Sequence, residues 1–214
     1  FERQINRARK LVPFYEGMRA LDIGIGLGHA VLSMQAAGLD VYGIEPSRPF
    51  LERATELKKL DKTKFMLVSV EEAELPPSYF DFVTFGAVFE HLFEPAQALE
   101  KALNWTKPGG IIHLEVPNSD YLVSKIVNSY FNLIFTNYVT NLSPMHSPFH
   151  LFEFTLESFK KHAEQLNYSV ADHWIDVCTI RRIPKFLHPL LRWTMERTGT
   201  GMQLTVFLRK NSST

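Results

Sequence analysis

The sequence predicts an α/β fold in which a mostly parallel sheet is covered by helices. Two observations support this prediction. Apolar blocks of strand length alternate with helical patterns through the first 116 residues, which is the rhythm of repeated βαβ units. The chain has 214 residues, of which 45% are hydrophobic and 21% charged, enough to bury the core of one domain. We therefore expect a single domain over residues 1–214.

The first half of the chain contains the regular alternation. An opening helix is predicted over 4–17, and Gly38 and the Lys107-Pro108-Gly109-Gly110 turn are read as boundaries. The predicted strands are 19–23, 41–44, 64–70, 80–85 and 111–116, and the predicted helices between them are 30–37, 49–60 and 95–105. Five strands are thus in place by residue 116, and we expect 1–116 to be the ligand-binding half.

The segment 117–150 is too long to be a bare connection. It contains a polar turn at 117–120, an aromatic helical stretch over 121–138 and a His/Pro-rich segment over 143–150. We expect a lid or substrate segment here, inserted after strand five. Its aromatic side chains would line a pocket or belong to the core; they are Tyr121, Tyr130, Phe131, Phe135 and Tyr138.

The remainder, 151–214, is expected to complete the sheet. Thr155, with Ser158 three residues later, predicts the start of a helix that runs to about residue 166. Strands are predicted near 169–178 and 203–209. An amphipathic helix at about 183–197 is predicted as an insertion between them.

Charge and cysteine content narrow the class of partner. Lys plus Arg and Asp plus Glu balance at 23 each, so we expect no nucleic-acid partner. The single cysteine, Cys178, cannot form an internal disulfide, which favours a reducing compartment and hence the cytoplasm. No apolar run of about 18 residues is present, so no membrane span is expected. Because the chain starts with Phe1 rather than Met, the sequence leaves open whether residues precede it.

The stretch LDIGIGLGHA, residues 21–30, resembles a nucleotide-binding loop. Glycines at 24, 26 and 28 between a strand and a helix let the backbone turn sharply and a ligand approach the helix N-terminus. The dinucleotide fingerprint G-x-G-x-x-G is not matched, because His29 stands where its third glycine belongs, and pyrophosphate binding is disfavoured. Glu45, at the end of the second strand, can accept hydrogen bonds from both hydroxyls of a ribose. The ligand is therefore predicted to be nucleoside-like.

An ordered series of motifs follows the same βαβ spacing over about residues 15–170. The motifs are Leu21-Asp22-Ile23-Gly24-x-Gly26-x-Gly28, Gly43-Ile44-Glu45-Pro46-Ser47, Glu71-x-x-x-Leu75-Pro76, Phe80-Asp81, Ala87-x-x-Glu90-His91-Leu92, Lys107-Pro108-Gly109-Gly110 and Val116-Pro117-Asn118. Together they resemble the class I S-adenosylmethionine-dependent methyltransferases, especially the small-molecule branch with ubiquinone-type domains. The resemblance implies a Rossmann-like, seven-stranded, mostly parallel sheet with an antiparallel final strand.

The resemblance also implies S-adenosyl-L-methionine as cofactor and a set of residues that hold it. Asp22 would lie near its methionine end, and Glu45 would bind its ribose. The other implied cofactor-binding residues are Gly24, Ile25, Gly26 and Gly28 along the amino acid and ribose, Pro46 and Ser47 beside the adenine, Glu71 and Glu72 at the adenine edge, and Phe85, Gly86 and Ala87 under the methionine. Family members often have Asp at the position of Glu71. Taken singly, Asp22 could instead brace the loop and Glu45 could be a solvated acid at a strand end.

The cofactor carries an activated methyl group, so the protein mainly has to exclude water, align a nucleophile and remove its proton. Three histidines are candidate general bases: His91, His146 and His150. His91 could instead bond the turn that follows it, and His150 could anchor the next helix. A small-molecule acceptor that is methylated on oxygen is the favoured interpretation.

Some relatives bind a divalent ion with E-x-x-E-H after strand four, but Ala87 replaces the first acid here. Glu90, His91 and Glu115 could recombine around an ion, yet no spacing requires it, and we predict no metal. A non-catalytic module that binds the cofactor or a partner is the alternative function. A nucleotide-sugar or nicotinamide enzyme is a weaker one, opposed by His29. The sequence leaves the acceptor and the oligomeric state open.

Overall fold

The computed structural model describes residues 1–140, 149–180 and 183–212. Within them the chain forms one sheet of seven strands: β1 Arg19–Ile23, β2 Asp40–Ile44, β3 Phe65–Met66, β4 Phe80–Gly86, β5 Thr106–Pro117, β6 Tyr168–Asp176 and β7 Gln203–Lys210. Their order across the sheet is β3-β2-β1-β4-β5-β7-β6. The final strand, β7, is antiparallel to β5 and β6, and the other pairings are parallel. The predicted seven-stranded mixed sheet is therefore confirmed.

Seven α-helices connect the strands of the described residues: α1 Glu2–Leu11, α2 His29–Ala36, α3 Arg48–Lys58, α4 Pro95–Trp105, α5 Leu122–Leu133, α6 Leu156–Ala163 and α7 His188–Thr198. Helix α4 has the predicted bounds. Helix α1 is shorter than the predicted 4–17, because Val12 is extended and precedes Pro13, which disfavours helical backbone at the residue before it. None of the described helices is long and apolar enough to cross a membrane.

Two strands, β3 and β5, differ by more than two residues from their predicted bounds. The predicted third strand 64–70 is only two residues long, because Ser69 turns the chain: its hydroxyl accepts from the Glu72 N–H and its carbonyl from the Ala73 N–H. The predicted turn at 107–110 lies inside β5, which begins at Thr106. Its pairing with β4 slips between Phe80 and Phe82, and Gly109, with φ of +77°, supplies the backbone irregularity.

The helices of the second half are also shorter than predicted. The aromatic stretch predicted as a helix over 121–138 forms helix α5, which ends at Leu133. Phe135 then has a left-handed φ of +57°. The inserted helix is α7, with Pro189 in its first turn, after a 3₁₀ turn at Lys185–Leu187. Residues 141–148, which include most of the His/Pro-rich segment 143–150, lie outside the described residues. The lid thus stays a prediction.

The sheet separates two hydrophobic cores, as expected for helices on both faces. One core packs β-strand residues such as Val83 and Leu114 against α4 and α6. The other packs Phe82, Ile111 and Phe207 against α1, α2 and α3. The parallel strands β1, β2, β4 and β5 end at one common edge, here called the carboxyl edge, and antiparallel β7 begins there.

Candidate active site at the carboxyl edge

The glycine loop leaves β1 at the carboxyl edge with three left-handed residues. Gly24, Gly26 and Gly28 have φ of +77°, +50° and +75°. A Cβ atom on Gly24 would lie 2.5 Å from Cγ2 of Val88, so this position also lacks room for a side chain. Gly28 is the N-cap residue of helix α2 and has no side chain to accept a hydrogen bond. The first-turn N–H groups of α2 therefore have no capping side chain. The loop therefore presents backbone without side chains, and the first turn of α2 presents its N–H groups, to a ligand.

Glu45 is fixed at the end of β2 by two backbone donors. Its Oε2 accepts from the Gly26 N–H at 2.9 Å, and its Oε1 accepts from the Ser47 N–H at 2.9 Å. The residue is only 5% exposed, which excludes a freely solvated acid. Each carboxylate oxygen can accept a second hydrogen bond. The carboxylate is thus held in one orientation with capacity for two hydroxyl donors.

Asp22 lies at the end of β1, close enough to Glu45 for their charges to interact. It is 2% exposed, and its Oδ2 atom has no hydrogen-bond partner among the described residues. Burial, followed by the charge of Glu45, raises the pKa of Asp22 to about 8. A buried oxygen without a partner is what a cationic or N–H group of a ligand would satisfy. The pair therefore fits a cofactor with a ribose and an ammonium group, such as S-adenosylmethionine.

The remaining predicted cofactor residues lie around this pair to different degrees. Glu71 and Glu72 are exposed on the loop after β3, which Lys101 holds by donating to the Ala73 carbonyl at 3.1 Å. Pro46 is exposed, and Ser47 begins helix α3. Phe85, by contrast, packs its ring on Phe89 in the core, at 5.4 Å between centroids. Its side chain therefore points into the core and not toward the carboxyl edge. At that edge β4 ends at Gly86, and Ala87 follows.

Two of the three candidate bases come together after β4. His91 ends a 3₁₀ turn, Phe89–His91, and its ring lies 4.8 Å from the ring of His150. The Nδ1 atom of His91 is 2.8 Å from the Phe149 carbonyl oxygen, so Nδ1 donates and neutral His91 has its lone pair on Nε2. Burial, and then the charge of His91, lowers the pKa of His150, which favours its neutral form. His146 lies outside the described residues.

Glu90 adds a carboxylate to this histidine pair. Its ligand atom and those of His91 and His150 lie within 4.8 Å of one another. One carboxylate and two imidazoles are donors that suit a zinc or iron ion. From the sequence, Glu115 is a possible third ligand, whereas the structure brings in His150, 59 positions after His91. The prediction of no metal stays a prediction, and these three residues are the group that could hold an ion.

Sequence reasoning missed a polar contact at the end of β5. Glu115 accepts from Gln203 Nε2 at 2.6 Å and from Gln4 Nε2 at 3.1 Å. The partners are 88 and 111 positions away, on β7 and α1, and neither glutamine belongs to a motif. No local pattern in the sequence could have found them.

Comparison with known proteins agrees with the site. Residues 21–114 match the family model of a methyltransferase domain. The ubiquinone biosynthesis O-methyltransferase of Schizosaccharomyces pombe mitochondria is 27% identical over 203 residues, covering 91% of this chain and 69% of that protein. The ubiquinone biosynthesis O-methyltransferase of Paraburkholderia phymatum is 33% identical over 135 residues, covering 60% and 54%. The chain thus spans about half the length of the bacterial relative.

Similarity to solved structures extends over nearly the whole fold. An S-adenosylmethionine-dependent methyltransferase from Mesorhizobium loti superposes with a TM-score of 0.67, covering 95% of this chain and 96% of that one. The sequences are 16% identical, so this comparison shows the fold. The domain match over residues 21–114, the glycine loop and the Glu45 carboxylate agree with one another, and the chain resembles the class I S-adenosylmethionine-dependent methyltransferases in sequence and in fold.

Proposed function

We propose that this protein transfers a methyl group from S-adenosylmethionine to an oxygen atom of a small-molecule acceptor by in-line displacement. The observation that carries the proposal is the Glu45 carboxylate, oriented by the Gly26 and Ser47 N–H groups beside the buried Asp22. The choice of oxygen is supported by the two relatives named as O-methyltransferases. A cytoplasmic location stays a prediction from the sequence.

When bound, the cofactor supplies a methyl group already activated on a sulfonium. The role of the protein's own residues is then to bind the cofactor and to orient it. Glu45 would accept hydrogen bonds from the ribose hydroxyls, Asp22 would accept from the ammonium group, and Gly26 would let the loop approach the ligand closely. These contacts fix the donor so that the acceptor has only to reach the methyl carbon in line.

Removal of the acceptor's proton falls to the histidine pair. His150 favours the neutral state, and the lone pair of neutral His91 is on Nε2, so each can take a proton from a hydroxyl. The segment 149–152 is tied to the 3₁₀ turn by the Leu151 N–H, which donates to the Glu90 carbonyl at 3.0 Å. We therefore place the acceptor on the β4 and β5 side of the carboxyl edge.

Calorimetry with S-adenosylmethionine and S-adenosylhomocysteine tests the cofactor site. Glu45→Ala should weaken both ligands by about tenfold or more, because a charge-assisted hydrogen bond contributes about 1.5 to 3 kcal/mol. Glu157→Ala, on the exposed surface of α6, is the matched control and should leave both affinities unchanged. Equal affinity in Glu45→Ala and in the unmodified protein would contradict this assignment.

A radiolabelled-methyl screen separates an enzyme from a binding module. Phenols, sugars, amines and quinone precursors are offered to the unmodified protein and to Glu45→Ala. We expect transfer to a hydroxyl-bearing acceptor that Glu45→Ala strongly reduces. Cofactor binding without transfer to any acceptor would instead indicate the non-catalytic module.

A further inference from the structure

We infer that Glu115 is a specificity-determining residue that accepts a hydrogen bond from a hydroxyl or amino group of the acceptor. The enzyme therefore selects neutral or cationic acceptors that carry a hydrogen-bond donor near the methylated atom, and disfavours acceptors with an anionic group there. This inference rests on the proposed function, because it assumes that the acceptor meets the cofactor at the carboxyl edge.

The order of strands places Glu115 beside the reacting end of the cofactor. Glu45 ends β2, the glycine loop follows β1, and β4 and β5 come next across the sheet. A cofactor whose ribose is held at β2 and whose amino acid is held along the β1 loop would have its sulfonium on the β4 side of that loop. Glu115 lies opposite Gly86 in the β4–β5 register, and its carbonyl accepts from the Ala87 N–H at 3.2 Å. Glu115 thus lies on β5, one strand beyond β4, on the side of the carboxyl edge where we place the acceptor.

The carboxylate of Glu115 is held rigidly but is not neutralised. Its two oxygens accept from the neutral amides of Gln203 and Gln4. Among the ion pairs of the described residues, none involves Glu115. A carboxylate has about four lone-pair directions, so two amides leave capacity for a further donor. The side chain is partly exposed, which allows a ligand to reach it.

The surroundings favour a donor over an anion. Glu90 on the 3₁₀ turn, Asp176 at the end of β6 and Cys178 beyond it interact electrostatically with Glu115. Asp176 is engaged by Arg3, 2.7 Å away, and by the indole N–H of Trp174 at 2.8 Å. Glu90 is 3% exposed, and its Oε2 has no hydrogen-bond partner within the described ranges. A second anion brought here would meet these acidic groups, while the two arginines of the neighbouring surface are engaged elsewhere: Arg3 pairs with Asp176, and Arg192 donates to the Cys178 carbonyl.

The test measures binding of acceptor-like probes to the protein loaded with S-adenosylhomocysteine. The donor-bearing probes are catechol, methyl α-glucoside and benzylamine; 1,2-dimethoxybenzene lacks a donor, and phthalate is anionic. Ligand-observed NMR gives their affinities for the unmodified protein, Glu115→Ala, Glu115→Gln and the remote control Glu157→Gln. Thermal melting checks that Glu115→Gln, which keeps the side-chain volume, stays folded.

We expect at least one donor-bearing probe to bind about tenfold more tightly than dimethoxybenzene and phthalate. Glu115→Ala and Glu115→Gln should lose most of this preference, while Glu157→Gln keeps it and all variants bind S-adenosylhomocysteine alike. The inference is overturned if the preference is absent in the unmodified protein or survives in both Glu115 variants. If the unmodified protein does not bind S-adenosylhomocysteine, the proposed function itself is overturned. This binding is measured separately, before the probes are added.

Discussion

At the residue scale, Asp22 links cofactor binding to pH. Because its pKa is raised to about 8, the carboxyl is protonated in the free protein at neutral pH, and an ammonium group beside it would drive the proton off. The affinity for S-adenosylhomocysteine should therefore rise as pH increases toward about 8, by at most about tenfold per pH unit, and then level off. Calorimetry in buffers of different ionisation enthalpy detects the released proton. Asp22→Asn should remove the proton release, and an unaltered release in that variant would rule out Asp22 as its source.

The cluster of Glu90, His91 and His150 gives a prediction about metal ions. We expect methyl transfer to continue in a chelator, because nothing in the spacing of these residues requires an ion and neutral imidazoles can act directly as bases. The measurement is the initial rate before and after treatment with a chelator, followed by addition of zinc, iron(II) or magnesium. Activity that disappears in chelator and returns with an ion would show that the cluster is a metal site.

Single residues can be placed from the sequence where their contacts are local, and not where the contacts are distant. The position of Glu45 beside the glycine loop follows from the spacing, because βαβ geometry brings the ends of neighbouring strands together. The contact of His91 with His150 depends on how 149–152 folds back onto the 3₁₀ turn, which no spacing encodes. The Phe85 side chain points into the core because side chains alternate between the two faces of a strand. A motif alone does not show which face a residue is on.

At the scale of elements, the start of α6 was predicted correctly from two residues. The Thr155 side chain accepts from the Ser158 N–H, and the Ser158 hydroxyl accepts from the Thr155 N–H, which forms a capping box. Thr155→Ala should reduce the free energy of unfolding by about 1 kcal/mol. Denaturant unfolding measures this, with Ser129→Ala on the exposed face of α5 as control. Equal losses in the two variants would show that the cap contributes nothing specific.

Element boundaries were predicted less well than element identity. Pro13, Ser69 and Gly109 each set a boundary through backbone geometry rather than through hydrophobic pattern. Only the effect of Pro13 is a rule that depends on residue type alone. Ser69 ends β3 through hydrogen bonds to its own downstream residues, and Gly109 is taken into β5 because the pairing with β4 tolerates a slip.

At the scale of the whole molecule, buried His113 is expected to make the fold sensitive to acid. Burial lowers its pKa to about 3, against about 6.5 in the unfolded chain, so between these values only the unfolded state binds the proton. Stability is therefore lost as pH falls from about 6.5 toward 3, at up to about 1.4 kcal/mol per pH unit. His113→Phe should flatten this dependence in denaturant titrations, whereas His173→Phe, at an exposed position of β6, should not. A slope that is the same in both variants would mean that other groups dominate acid unfolding.

The architecture as a whole was predictable because strand and helix patterns alternate regularly through the first half of the chain. Five parallel strands with intervening helices leave few topologies open. The second half was predicted only in outline, since its order depends on β7 inserting between β5 and β6, a long-range pairing that hydropathy does not specify. Family resemblance supplied the antiparallel final strand that the pattern alone could not.

The antiparallel β7 decides where the second half of the chain leaves the sheet. Because β6 runs parallel to β5 and β7 returns between them, β5 and β6 end, and β7 begins, at the carboxyl edge, where the glycine loop also lies. The residues that match the methyltransferase family model, 21–114, stop inside β5, so both connections that leave this edge, after Pro117 and after Asp176, follow the matched part of the chain. A match over residues 21–114 therefore carries no information about what these two connections contact.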